Sequence, residues 1–233
     1  MSDQLDRVFV RSSGRVWYRP RGTPLGQFTF VTKLPNVNTG AIDGAPAIST
    51  DGLTLYFASN RSGGLGRNDL YQATRLTVND PFGDVRPLGP DINCPAVEFF
   101  PTISFDGLAL YFTSDRTGRQ GSFDIYQATR PTVNDPFGDV MNLRGINTAF
   151  DDSPGHITPD DLTLYFDSNR RDGEGRRDIY MATRKTLNDP FANVTNLGSG
   201  INGPTDDVGA SVSSDGLIMF FSDQFSLPSI LVG

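Results

Sequence analysis

The chain has few residues that suit disulfides, metal sites or membrane spans. Its 233 residues include one cysteine, Cys94, and one histidine, His156. An intrachain disulfide is therefore excluded. No stretch approaches the roughly 18 apolar residues of a transmembrane helix, and the N-terminus lacks the apolar run of a signal peptide. These absences predict a protein that does not insert into a membrane, with the cytoplasm as its default location.

Positive charge is also scarce. The chain carries 20 lysines and arginines against 27 aspartates and glutamates, a formal net charge of -7. Nucleic acids and anionic membranes are bound chiefly through basic patches, so this balance argues against both as partners. Neutral, cationic or metal-bridged partners fit the charge better.

Turn-forming residues are abundant. With 25 glycines and 16 prolines, the sequence leaves little room for long helices, which favours an all-β protein. The length is sufficient for one large hydrophobic core. We expect a single domain over residues 1–233, and a monomer.

One eleven-residue stretch recurs along the chain. "DGLTLYFASNR" at Asp51 is followed by "DGLALYFTSDR", "DDLTLYFDSNR" and the shorter "DGLIMFFSDQ", which begin at Asp106, Asp160 and Asp215. The intervals are 55, 54 and 55 residues. A fixed period of this length is the signature of a repeat architecture, which outranks any local prediction of secondary structure.

Each repeat contains four short strand patterns separated by glycine, proline and asparagine. Four antiparallel strands form one sheet, and sheets stacked around an axis form a β-propeller. The blades are predicted at about residues 45–90, 100–145 and 154–199, with a composite fourth blade from 15–36 plus 208–224. That composite would close the ring by pairing N- and C-terminal strands. Extra strand-like segments, "RVFVRSS" and "PSILVG", leave five blades as the alternative.

The repeat wording resembles a known family. The pattern "S-x-D-G-x-x-L-Y-F-x-S-[ND]-R-x-G-x-x-G-x-x-D-[IL]-Y" is similar to the PD40 repeat, a WD40-like propeller repeat found in TolB and in many bacterial envelope proteins. It covers residues 16–223 and is most specific at 49–71, 104–126 and 158–180. The resemblance implies a propeller that binds other molecules, often envelope proteins, and so suggests an envelope or periplasmic location.

One acid recurs eight residues before each landmark aspartate, and an asparagine lies five residues before each acid. The acids are Asp43, Glu98, Asp152 and Asp207, and the asparagines are Asn38, Asn93, Asn147 and Asn202. In a propeller these positions would gather at one mouth of the central channel, where oxygen ligands suit Ca²⁺ or the hydroxyls of a polar ligand. The alternative is structural, with both residue types capping turns or accepting backbone hydrogen bonds. No other cofactor is expected.

Two further features of the sequence bear on function. His156 lies where the other repeats have Ala47, Thr102 and Ser211, so it is a candidate ligand-binding residue, although a packed inner-strand histidine is the commoner outcome. Three arginines, each eight residues before an aspartate, are expected to form cross-hairpin ion pairs: Arg61 with Asp69, Arg116 with Asp124, and Arg170 with Asp178.

Near-equivalent repeats favour a binding module over an enzyme. Catalysis normally needs an acid and a base in different environments, whereas the repeats present the same groups several times. We therefore expect a non-catalytic propeller with an acidic channel mouth that takes a protein or glycan partner. The competing hypothesis is a glycoside hydrolase or lyase that uses two of the channel-mouth carboxylates.

Overall fold

A computed structural model describes the backbone of residues 9–12, 15–18, 32–223 and 229–232, and the side chains from residue 33 to residue 222. Every regular element in these ranges is a β-strand. No helix that could cross a membrane is found in the described part of the chain. The all-β prediction is confirmed.

Three complete sheets follow one another, each with four antiparallel strands in sequence order. The first contains β4 (Asp43–Ile48), β5 (Thr54–Ser59), β6 (Asp69–Thr74) and β7 (Gly83–Pro87). The second contains β8 (Glu98–Ile103), β9 (Ala109–Ser114), β10 (Asp124–Thr129) and β11 (Gly138–Asn142). The third contains β12 (Asp152–Ile157), β13 (Thr163–Ser168), β14 (Asp178–Thr183) and β15 (Ala192–Asn196). These sheets are the first, second and third blades.

Two three-stranded sheets flank the complete blades. One contains β1 (Phe9–Ser12), β2 (Arg15–Tyr18) and β3 (Thr32–Lys33), and the other β16 (Asp207–Val212), β17 (Ile218–Asp223) and β18 (Ser229–Val232). β18 pairs with β17, at the position that the composite blade assigns to an N-terminal strand. The described strands thus form five sheets, as in the five-blade alternative, and closure of the ring by pairing of the two termini stays a prediction.

Neighbouring blades pack face to face through their second strands. Side chains alternate along a strand, so each second strand contributes to the cores on both sides of its blade. Tyr56 of β5 packs with Leu110 and Phe112 of β9, while Tyr111, on the opposite face of β9, packs with Phe166 of β13. This burial on both faces explains why the "LYF" segments are apolar throughout.

The first strands of successive blades surround a central cavity of about 1520 Å³. These inner strands are β4, β8, β12 and β16, and all four begin at a predicted channel-mouth acid. Each also contains a register shift opposite its second strand, for example between Phe99 and Thr102. Such bulges bend the strand and interrupt its pairing.

Candidate functional site

The four repeated acids lie at the first residue of the inner strands, where their side chains are buried. Their exposed fractions are 0% for Asp43, Glu98 and Asp152, and 2% for Asp207. None of the four lies on the wall of the central cavity. They point instead into the end of their own blade.

Asp43 illustrates how such a carboxylate is held. One oxygen accepts hydrogen bonds from the Thr39 backbone N–H, at 2.6 Å, and hydroxyl, at 2.9 Å. The other accepts from the Ser59 hydroxyl and from Arg61 Nη2, both at 2.6 Å. Burial alone would raise the pKa of Asp43, but the hydrogen bonds from Ser59, Thr39 and Arg61 together hold that pKa below its ordinary value of 3.8.

The second blade varies this arrangement. Glu98 replaces the aspartate and Cys94 replaces the threonine, so the longer acid meets a thiol 3.0 Å from its Oε1. Arg116 Nη2 lies 3.2 Å from the same oxygen. Burial raises the pKa of Glu98 above its ordinary value of 4.5, despite the hydrogen bonds from Cys94 and the charge of Arg116.

The repeated arginines bind these acids, so the expected cross-hairpin pairs are wrong. Arg61, Arg116 and Arg170 pair with Asp43, Glu98 and Asp152, not with Asp69, Asp124 and Asp178. Each guanidinium lies over two aromatic rings of its blade, as Arg170 does over Phe166 and Tyr180. The rings direct the arginine back across the blade, while Asp69 accepts the Leu65 and Gly66 backbone N–H groups. We call each acid with its arginine an arginine latch.

Three of the four repeated asparagines bind the backbone of the third strand of the preceding blade. Asn147 accepts from the Ile125 N–H at 2.8 Å and donates to the Ile125 carbonyl at 2.8 Å. Asn93 and Asn202 make the same two bonds to Leu70 and Ile179. Asn38 donates to Leu34 O at 3.4 Å. The amides of Asn93, Asn147 and Asn202 thus provide hydrogen bonds to the third strand beyond the end of the fourth strand.

His156 does line the central cavity, as its inner-strand position predicts. Its ring lies 6.5 Å from that of Tyr165. Burial lowers the pKa of His156 to about 4, which keeps the imidazole neutral near pH 7. No described residue forms a hydrogen bond with its buried Nε2.

A charged cluster in the third blade was not predicted. Asp167 of β13 is 5% exposed on the cavity wall, with Oδ2 at 3.1 Å from Arg177 Nη1. Arg177 also reaches Asp151, at 3.7 Å. Burial raises the pKa of Asp167 to about 6, against the opposing charge of Arg177. The signal was a break in the repeat, because Asp167 stands where other repeats have Ala58, Thr113 and Ser222.

The seam between the second and third blades carries a second unpredicted cluster. The Tyr111 hydroxyl donates to Asp161 Oδ1 at 2.8 Å, and Arg184 Nη2 lies 2.7 Å from Asp161 Oδ2. Asp161 occupies a turn position with φ 56°, where the other repeats have glycine. Its side chain links two blades at a left-handed backbone position that usually favours glycine.

Calcium at the repeated acids stays a prediction. No group of three acidic, cysteine or histidine side chains suited to a metal is found among the residues with described positions. In the three complete blades an arginine already neutralises the carboxylate. An added cation would have to compete with that guanidinium.

Comparisons with known proteins support the fold. No protein-family model matches the chain, and no curated protein does. Among solved structures, TolB from Acinetobacter baumannii matches with a TM-score of 0.56 and 21% identity over 97% of this chain. An endo-arabinase from Bacteroides thetaiotaomicron matches with a TM-score of 0.57 and 14% identity over 98% of this chain and 93% of its own.

An α-L-arabinofuranosidase from Podospora anserina matches with a TM-score of 0.53 and 11% identity, over 95% of this chain and 85% of its own. The chain spans 48% of the Acinetobacter baumannii TolB. These likenesses and the four-stranded antiparallel sheets define the chain as a β-propeller. At such identities they extend to the fold alone.

Proposed function

We propose that this β-propeller is a non-catalytic binding module whose central cavity takes a protein or glycan partner. The observation that carries this proposal is the burial of Asp43, Glu98 and Asp152 in arginine latches. A carboxylate that is buried and ion-paired inside its own blade has no access to a substrate. The repeated acids then serve the scaffold, and binding falls to the groups on the cavity wall.

The cavity wall differs from blade to blade, which suits selective binding. Asp151 and Asp206 lie on it beside Arg176 and Arg177, so one region carries charges of both signs. Elsewhere the wall contains aromatic side chains, among them Phe123. Large cavities with a few placed polar groups are the usual form of a ligand site.

A carbohydrate-active enzyme is the second candidate, and Asp167 is the observation that favours it. A buried carboxyl with a pKa of about 6 on a cavity wall has the properties of a general acid. Two other carboxylates of the cavity wall, Asp151 and Asp206, both lie beside arginines. This candidate ranks second for that reason.

Hydrolysis of a glycan would distinguish the enzyme from the binding module. The wild-type protein is incubated with arabinan, xylan and cellulose oligosaccharides, and reducing ends are measured alongside binding by calorimetry. The proposal predicts binding of a glycan or a peptide without release of reducing ends. Hydrolysis that Asp167→Asn abolishes, in protein shown to be folded, would establish the enzyme instead.

A further inference from the structure

Three uncharged side chains on the wall of the central cavity each contain a buried polar atom. The atoms are Asn68 Oδ1, Thr113 Oγ1 and His156 Nε2, and none has a hydrogen-bond partner among the described residues. Folded proteins leave few buried polar atoms unpartnered, because the loss of hydration is then uncompensated. Because all three residues line the same cavity, they are candidates for hydrogen bonding to a bound ligand.

The three atoms belong to successive blades. Asn68 forms a parallel bridge with Val97 at the seam between the first and second blades. Thr113 lies on the same face of β9 as Tyr111, which contacts the third blade. His156 is on β12, the inner strand of the third blade. A ligand that contacts all three residues would therefore touch three successive blades.

The chemistry of these atoms matches neutral hydroxyl groups. An amide oxygen accepts hydrogen bonds, a threonine hydroxyl both donates and accepts, and a neutral imidazole nitrogen does one or the other. Burial keeps His156 uncharged near neutral pH, with a pKa of about 4. The buried Asp167 on this wall already pairs with the partly exposed Arg177 at 3.1 Å. A molecule with many hydroxyls satisfies this set.

An extended peptide fits the cavity less well. Peptides commonly add as a strand to a free sheet edge, and the inner strands present their edges to the cavity. However, all four inner strands carry a bulge. Pro46, Pro101 and Pro154 also remove backbone donors from three of them. Bulges and prolines prevent strand addition.

We propose that the central cavity binds a neutral oligosaccharide through Asn68, Thr113 and His156. The inference rests on the proposed binding function and names its ligand class. The cavity volume of about 1520 Å³ exceeds the roughly 300–1,000 Å³ of a typical small-molecule site, so it accommodates several sugar rings.

Calorimetric titration with cellohexaose, xylohexaose, arabinohexaose and maltohexaose tests the ligand class. At least one is expected to bind the wild-type protein. Thr113→Val keeps the side-chain shape and removes the hydroxyl, so it is expected to weaken that binding about threefold to tenfold. The melting temperature of the free variant is expected to stay unchanged or rise, because no described residue bonds to this hydroxyl. A purely structural hydroxyl would give a lower melting temperature.

Thr195→Val is the matched control, since Thr195 is exposed on the outer strand β15. It is expected to change neither the affinity nor the melting temperature. Binding of a hexasaccharide that Thr113→Val and His156→Ala leave unchanged would overturn the assignment of these residues. Binding of a peptide library but of no hexasaccharide would overturn the ligand class and leave the proposed function standing. Binding of neither would overturn both.

Discussion

Arg170 Nη2 lies 2.8 Å from Asp152 Oδ1, and both side chains are almost completely buried, at 9% and 0% exposure. The same guanidinium nitrogen donates to the Ile146 carbonyl at 3.0 Å. Arg170 therefore joins the start of the inner strand β12 to the loop that precedes it. This contact supports the conclusion that the repeated acids stabilise the fold.

Removal of this arginine should cost much stability. Arg170→Met leaves Asp152 as a buried charge without its cation, and we expect the free energy of unfolding to fall by about 3–5 kcal/mol. Urea denaturation followed by fluorescence measures it. Arg86→Met is the control, because Arg86 and Asp84 form an exposed pair, and it should cost less than about 1 kcal/mol. Equal effects for both variants would contradict the latch.

The two bonds between Asn147 and the Ile125 backbone, which we call the asparagine clamp, should also contribute to stability. Asn147→Ala removes two bonds to the Ile125 backbone and leaves the buried Ile125 N–H unpaired, while the Ile125 carbonyl keeps its bond from the Leu143 N–H at 3.0 Å. We expect a loss of about 1–3 kcal/mol on this basis. Asn134→Ala, at an exposed turn, should change the free energy of unfolding by less than about 0.5 kcal/mol. If Asn147→Ala lowers the free energy of unfolding no more than Asn134→Ala does, the asparagine clamp does not stabilise the fold.

The Tyr111 hydroxyl lies at the seam between the second and third blades. Its contribution to stability can be compared with that of Tyr56, the equivalent residue of the first blade. Tyr111→Phe removes a hydrogen bond to the partly buried Asp161, and should cost about 1.5–3 kcal/mol. Tyr56, at the equivalent position, bonds Arg130 at 3.3 Å and meets no such acid. Tyr56→Phe should cost clearly less. The reverse order, measured by urea denaturation, would contradict the role of Asp161.

Two cavity residues should give pH dependences of opposite sign. The folded pKa of His156, about 4, is below the ordinary 6.5, so the unfolded chain binds the proton more readily and stability falls as pH drops from about 6.5 to 4. The folded pKa of Asp167, about 6, is above the ordinary 3.8, so stability falls as pH rises from about 3.8 to 6.

Single variants should reveal each contribution. Relative to wild type, His156→Gln should gain up to about 3 kcal/mol as pH drops from 6.5 to 4, and Asp167→Asn should gain about 2 kcal/mol as pH rises from 4 to 6. Denaturant titrations at pH 4, 5, 6 and 7 measure both differences. Differences that do not vary with pH would show that neither group has a shifted pKa.

Much of the scaffold could be predicted because it repeats. The period located the strands, and it placed Asp43 and its sister acids at the start of the inner strands. The partner of each acid could not be predicted, because Arg61 reaches Asp43 only after stacking on Phe57 and Tyr71, a contact set by packing. Sequence spacing suggested the nearer Asp69 instead.

The polar groups of the cavity wall were harder to predict because several of them differ from one repeat to the next. Asp167 and Arg177 differ from their counterparts in the other blades, and a position-by-position comparison of the copies would have singled them out. Their contact on the cavity wall could not be predicted, because it depends on the strand register and on the face of the sheet from which each side chain projects. His156 was found in this way, since it breaks the pattern on an inner strand.

The most direct test of the account compares stability with binding in Asp152→Asn. This variant keeps the side-chain shape and removes the charge that Arg170 neutralises. The account predicts a free energy of unfolding lower by several kcal/mol, with unchanged affinity for the hexasaccharide or peptide that binds the wild type, measured where the variant is folded. Unchanged stability with lost affinity would contradict it, because Asp152 would then belong to the binding site.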